Sequence, residues 1–304
     1  MKKVFPLLFI LSLAFIACSD DKANLKVQLN KGDVFDFELI TSNKMDQSSM
    51  GKKIEMVTDM IQYGTIEVKE VTSDKLFKMR LIYTRAVQDM KMSAPEPNEM
   101  HIDTDNADSV QSEETLDVMQ SLKLLVNKPF DFTMNERGEV LDCQSKEFET
   151  AMAELVKEVP MMKMLGEQFS IESQKTAIQS FFVVFPEGKA TEGTTWTTSS
   201  TGLSTSYPIK MENTYTLKKL DENSASLVSS GTVKVNKDAK GMMAMMVKMM
   251  ELGGDVTSEV KIDSKTGMPI QNKQVTKVKG SVSMFGTKMP IETEGTTTFS
   301  MKKK

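Results

Sequence analysis

Methionine is the residue type with the most unusual chemistry to offer in this chain, which contains 26 of them. The run KGMMAMMVKMMELGG at 240–254 concentrates Met242, Met243, Met245, Met246, Met249 and Met250. Wound at about 100° per residue, these share one broad arc with Val247 and Leu252. Ala244, Lys248 and Glu251 occupy the remainder, which predicts an amphipathic helix over 240–252. Three uses of such a face compete. It can cover a sheet as ordinary core. It can hold an apolar ligand, because the thioether side chain is flexible and polarisable and repacks around varied partners. It can also bind Cu(I), a soft ion that thioethers suit, although no His or Cys accompanies the cluster. Met161, Met162 and Met164 form a second soft patch after Pro160. With Met242, Met245, Met246 and Met249 they make the candidate set for an apolar concavity of the kind that takes small molecules.

Other chemistry is sparse. His101 is the only histidine; it lies in a Pro-rich acidic stretch with no nucleophile motif near it, so the commonest general base is missing from any recognisable setting. No Asp/Glu pair stands out, and no phosphate-binding glycine loop or zinc-ligand spacing occurs. In DTDNADSVQSEE, Asp103, Asp105 and Glu114 fall at positions 1, 3 and 12 of a calcium loop. Ala107 and Asp108 then occupy positions 5 and 6, where a ligand and a glycine are required. We expect no catalytic residue, metal or cofactor, and a protein that is not an enzyme.

The N-terminus carries an address. Lys2 and Lys3 precede an apolar core from Val4 to Ile16, with a small residue at Ala17, the pattern of a secretory signal peptide over 1–17. FIAC at its end resembles the lipobox of bacterial lipoproteins, with Phe15 in place of the usual Leu. The resemblance implies a lipid on Cys18 as the first mature residue. Cys18-Ser19-Asp20-Asp21 resembles the surface-export signal of Bacteroidota lipoproteins, so Ser19, Asp20 and Asp21 are candidate sorting residues in a tether over 18–24. The location expected is the cell envelope, lipid-anchored at the outer membrane, facing the periplasm or the surface. Removing 1–17 takes two of 38 basic residues, leaving 36 against 42 acidic ones, a net charge of −6. That balance argues against a nucleic-acid partner. With Cys18 lipidated, Cys143 stands alone and is expected as buried packing.

These residues need elements to position them. VFDFELI, TIEVKEV and KLFKMRLIY alternate apolar and polar residues at period two, the mark of half-buried antiparallel strands. Residues 91–113 read as an exposed acidic loop. Leu116, Met119 and Leu122 have helical spacing. FDFTMNERGEVLD reads as a hairpin turning at Gly138. Ser145 caps a helix carrying Phe148, Met152, Leu155, Val156 and Val159, and Ser170 caps another carrying Ile171, Ile178, Phe181 and Phe182. From TTWTTSS to IETEGTTTFSMK the chain is strand-rich again. The fold class expected is α+β, mainly β: duplicated curved antiparallel sheet units with packed amphipathic helices. Residues 25–143 would be one β-rich unit, 144–186 a helical segment, and 187–304 a second β-rich unit. KGDVFDFEL and EGTTWTTSS would open the two copies, with Phe35 equivalent to Trp196.

The lipobox, the KGD-x-F and EGTTW starts, the YPIKMENTYTL strand and the Met-Gly-rich insert resemble a family of uncharacterised Bacteroidota lipoproteins, a domain of unknown function. The element order is also similar to carrier lipoproteins built as a half-open β-barrel lidded by helices, such as outer-membrane lipoprotein chaperones and mycobacterial lipid carriers. The function expected is that of a non-enzymatic envelope lipoprotein that binds an apolar ligand or lipid between a curved sheet and the Met-rich helices. The alternative is a structural or accessory lipoprotein whose methionines are core and whose partner is another envelope protein.

Overall fold

The computed structural model describes residues 24–49, 52–94, 97–158, 170–204, 207–238, 247–284 and 287–304. The alternating segments become long strands: β1 (Val34–Ser49), β2 (Lys52–Val71) and β3 (Phe77–Met92) in the first half, then β4 (Asn98–Asp103), β5 (Pro129–Met134) and β6 (Val140–Gln144). The second half supplies β7 (Thr195–Ser204), β8 (Tyr207–Leu220), β9 (Ser224–Val235), β10 (Met250–Asp263), β11 (Pro269–Met284) and β12 (Thr287–Lys303). All pair antiparallel in one open curved sheet ordered β6-β5-β3-β2-β1-β12-β11-β10-β9-β8-β7, with β4 on the upper part of β3. Most neighbours are consecutive strands joined by turns, as antiparallel connection allows. The long-range exception is β1 with β12, paired from Phe35↔Lys303 to Gln47↔Ile291, which joins the two ends of the chain at the middle of the sheet.

Among the described residues, three α-helices of two turns or more lie against one face of this sheet: α1 (Glu113–Lys123), α2 (Lys146–Glu158) and α3 (Ile171–Gln179). Each starts where a serine hydroxyl accepts an otherwise unpaired backbone N–H. Ser112 accepts from Thr115, Ser145 from Phe148, and Ser170 from Ser173. Glu113 and Glu114 at the start of α1 and Lys123 at its end suit the helix dipole. Of the apolar faces expected for these helices, Met119, Leu122, Phe148, Met152, Leu155 and Ile178 are buried, whereas Leu116 is 42% exposed. No described helix is long and apolar enough to cross a membrane.

Phe130, Phe132, Phe148, Phe185 and Phe299 are among the fully buried side chains of the principal core. Each contributes about 1.5–3 kcal/mol relative to exposure. This core fills one end of the curved sheet. α3 spans the gap between the two edge strands, packing against both β6 and β7. Gln179 donates to the Gly138 carbonyl and accepts from the Val140 N–H at the start of β6. On the other side the Trp196 indole of β7 donates to the Val184 carbonyl at 2.8 Å. These contacts tie α3 and the segment that follows it to both edge strands.

Three expectations change. Residues 91–113 are not an open loop: β3 continues to Met92, and Asn98–Asp103 forms β4 with Met100 and Ile102 buried. The acidic composition masked a short period-two pattern that α1 covers. The helix expected over 240–252 does not reach its end, because Met250 and Leu252 belong to β10 and pair with Val282 and Gly280. Val247 and Lys248 are helical, and 239–246 lie outside the described residues. Met250, Leu252, Gly254 and Val256 alternate inward along β10, and β11 supplies the partner that makes a strand win over the helical period. Finally, the two β-rich segments form one continuous sheet, with Phe35 on central β1 and Trp196 on edge β7.

Candidate functional site: a methionine-lined cradle

Directly paired residues of antiparallel strands share a face of the sheet, so the register shows what lines the face that carries the helices. At the filled end it carries the aromatic core, including Phe35 and Phe37 of β1. Across the middle runs a polar belt. Gln62 is buried there, and the Ser229 and Ser258 hydroxyls share a 2.6 Å hydrogen bond.

Beyond the belt the face turns apolar again, through methionine. Met45, Met56 and Met92 occupy one rung across three adjacent strands. On the next rung Met90 pairs with Met100 of β4, and Met60 follows on β2, opposite Gln88. On the other side of β1 a second rung carries Met250, Val282 and Met289 across β10, β11 and β12, with Met211 opposite Val233 on β8 and β9. Met45, Met56, Met60, Met90, Met92, Met211 and Met289 are all half-buried. Two small cores flank them. α1 packs on Met100 and Ile102 with Met60 and Met90 alongside. Val247 packs with Ile209, Val235, Met250 and Leu252. The result is a cradle of flexible, polarisable side chains on a rigid sheet, suited to apolar surface of variable shape.

The opposite face is ionic. Lys277–Glu294, Lys279–Glu292 and Lys44–Glu55 are cross-strand pairs at 2.6–3.1 Å. The hydrogen-bonded carboxylates of Glu55 and Glu292 raise the Lys44 and Lys279 ammonium groups above their ordinary range. His101 also lies outside the cradle, exposed, with Nδ1 2.7 Å from Asp89.

Of the methionines expected from sequence to line a site, Met249 is described: it precedes β10 with its side chain 41% exposed. Met161, Met162, Met164, Met242, Met245 and Met246 lie outside the described residues, as do Cys18, Ser19, Asp20 and Asp21. The strand methionines were the ones missed. Their signal was present in period two, as in Met90 and Met92 or Met56 and Met60. The denser run from Met242 to Met250 carries a helical period instead.

The calcium-like spacing does not converge. Arg85 takes both Asp103 carboxylate oxygens, at 3.0 and 2.6 Å, while Glu114 accepts from Asn98. The Arg85 hydrogen bonds hold the Asp103 carboxyl below the usual range. No cluster of three or more His, Cys, Asp or Glu side chains able to hold a metal occurs among the described residues. Cys143 is free, and burial pushes its thiol up to about 12, the opposite of what a nucleophile needs.

The molecule belongs to the class of open, wholly antiparallel sheets wrapped around their own helices, with one end filled by aromatics and the other lined by methionine. Residues 74–269 match the profile of a family of unknown function (DUF6263), and the chain belongs to that family. A search of curated proteins returns no match. Among solved structures the chain is similar to lipovitellin, described under "Lipid-protein interactions in lipovitellin". The TM-score is 0.51 at 12% identity over 90% of this chain, which spans 25% of that chain's length. That likeness is one of fold. The translocator domain of autotransporter NalP from Neisseria meningitidis matches at TM-score 0.24 and 7% identity, over 90% of each chain.

Proposed function

We propose that the protein is a non-catalytic, lipid-anchored lipoprotein of the cell envelope that holds an apolar ligand or lipid in the methionine-lined cradle. The observation that carries this reading is the continuous rung of Met45, Met56 and Met92, half-buried on the helix-bearing face. A sheet face that needed only solubility would carry polar residues there, as the opposite face does. Shape-fixed Val and Ile would serve a permanent core better than methionine, whose freedom suits an occupant that changes. The lipovitellin fold likeness supports the same reading, since the work on that protein concerns lipid–protein interactions. Anchoring at Cys18, with Ser19, Asp20 and Asp21 as sorting residues, would keep such a binder at the outer membrane beside its source of ligand.

The test is native mass spectrometry of the chain lacking residues 1–18, followed by solvent extraction. A stoichiometric extra mass that extracts as lipid is the expected result. An apo mass that persists after incubation with envelope lipids would sink the reading and turn attention to a protein partner. Anchoring is tested separately by the mass of the mature N-terminal peptide, which must carry acyl chains on Cys18.

A further inference from the structure

The lysines at the cradle end of the sheet are unequally matched by carboxylates. Successive strand residues point to opposite faces, so Ile209, Val233 and Val235 pack inside the cradle while Lys210 and Lys234 stand exposed behind them. These two lysines are directly opposed across β8 and β9, an arrangement that repels. Lys237 just beyond β9, Lys248 just before β10 and Lys288 on β12 are exposed at the same end.

Glu212, Glu251 and Asp238 accompany these five lysines. Glu212 pairs with Lys210 at 3.4 Å and Glu251 with Lys288 at 2.7 Å. The Glu251 carboxyl is held below the usual range by Lys288 and, more weakly, by Lys237. Among the described residues no carboxylate lies within ion-pair distance of Lys234, Lys237 or Lys248. The sequence of 239–246 contains no acidic residue and adds Lys240. The other corner of the cradle end is balanced: Lys44–Glu55, Lys53–Asp46 and Lys91–Glu99 pair at 3.1–3.3 Å. In a chain whose net charge is negative, the cationic surplus is therefore local to β8, β9 and β10.

Apolar surface lies beside it. Val247 is tucked among Ile209, Val235 and Leu252 at 4% exposure, whereas Met249, two residues on, is 41% exposed. The Met249 carbonyl accepts from the Ser283 N–H at 2.7 Å, so the backbone that presents this side chain is held by β11. All five cations are lysines, compact charges on flexible stems that suit dispersed phosphates; arginine's planar fork would suit fixed carboxylates better. Lysines around an exposed apolar side chain match an anionic bilayer, where ammonium groups meet lipid phosphates and the thioether enters the headgroup boundary.

We propose that this corner docks the cradle end of the protein on an anionic phospholipid surface. The contact is separate from the anchor proposed at Cys18. The chain from that residue enters at the filled end, where Val27 donates to the Glu136 carbonyl and Gln28 to the Thr266 carbonyl. The 14 residues of β8 put about 45 Å between the two ends. Docking itself does not require an occupied cradle; only its use, passage of an apolar ligand between bilayer and cradle, rests on that reading.

The chain lacking residues 1–18 would be mixed with vesicles of phosphatidylcholine, with and without phosphatidylglycerol, and the bound fraction read by sedimentation. Binding to the anionic vesicles alone is expected, falling roughly tenfold between about 50 mM and about 500 mM salt. Lys234→Gln, Lys237→Gln and Lys248→Gln together should weaken it roughly tenfold or more. Lys44→Gln, Lys53→Gln and Lys91→Gln together make the same change in net charge on the balanced corner, and should leave binding within about twofold. Met249→Gln should lower the fraction bound that survives high salt. Equal loss in the two triple variants, or none in either, overturns the proposal. So does a chain that ignores anionic vesicles; its retention on immobilised polyglutamate, lost in the first triple variant, would assign the corner to an acidic protein instead. Lauric acid binding, measured by calorimetry on the same chain, keeps the two readings apart. Vesicle binding without lauric acid binding upholds the docking and removes the cradle, and the reverse overturns the docking and leaves the cradle standing.

Discussion

Phe181 and Phe299 stack face to face, with ring centroids 4.6 Å apart and planes 7° from parallel. The pair ties the turn after α3 to β12. Phe37 of β1 packs on both rings, 5.8 Å from Phe181 and 5.7 Å from Phe299. Since α3 also touches both edge strands, this aromatic trio pins the middle of the sheet to the element that bridges its margins, and so holds the curvature that makes a cradle. Phe181→Ala should destabilise the fold by about 3–5 kcal/mol, read as a lower denaturation midpoint.

Gly64 sits where β2 shifts register beside β3. A Cβ there would meet the Ile82 carbonyl and the Phe37 ring. Gly64→Ala is expected to cost about 1–3 kcal/mol through overpacking, whereas Gly188→Ala, which meets no neighbour, gains no clash and should lose only its left-handed backbone preference. Urea unfolding of the two variants separates these effects.

The methionine rung should tolerate charge structurally but not functionally. Met56 is half-buried and lies between Met45 and Met92. Met56→Glu should leave the melting temperature nearly unchanged while cutting lauric acid affinity at least tenfold. Met56→Leu should retain most of the binding. Calorimetry on the two variants checks both outcomes.

Arg85 and Asp103 fasten the end of β4 to β3. Because the bidentate guanidinium lowers the Asp103 carboxyl, its contribution is present above the ordinary carboxylate range. It is lost as pH falls below about 4 and through the lower folded value. Asp103→Asn should flatten that acid limb and speed amide exchange across Asn98–Asp103 at neutral pH.

The Cys143 thiol, pushed up to about 12 by burial first and by neighbouring Asp142 next, should be almost wholly protonated at pH 8, with about one molecule in ten thousand as thiolate. Alkylation by iodoacetamide should therefore run far slower than for glutathione, and should catch up on denaturation. A rate equal to that of glutathione in the folded state would contradict the burial.

The amino-acid sequence by itself determined the local structure. Alternation in VFDFELI and TIEVKEV specified strands, Gly138 a hairpin turn with φ 83°, and Ser145 and Ser170 two helix starts, because pleat, turn and cap each depend on a few neighbouring residues. Only the tertiary structure decided the partners. The pairing of β1 with β12, the use of α3 to bridge both edges, and the rung of Met45, Met56 and Met92 all arise from residues far apart in the chain, whose mutual register leaves no short-range trace. The strand at Met250 shows the same division. Its six-methionine run satisfies a helical period locally, but the β9 and β11 backbones provide hydrogen bonds that an isolated segment cannot, and from Met250 onward those partners prevail.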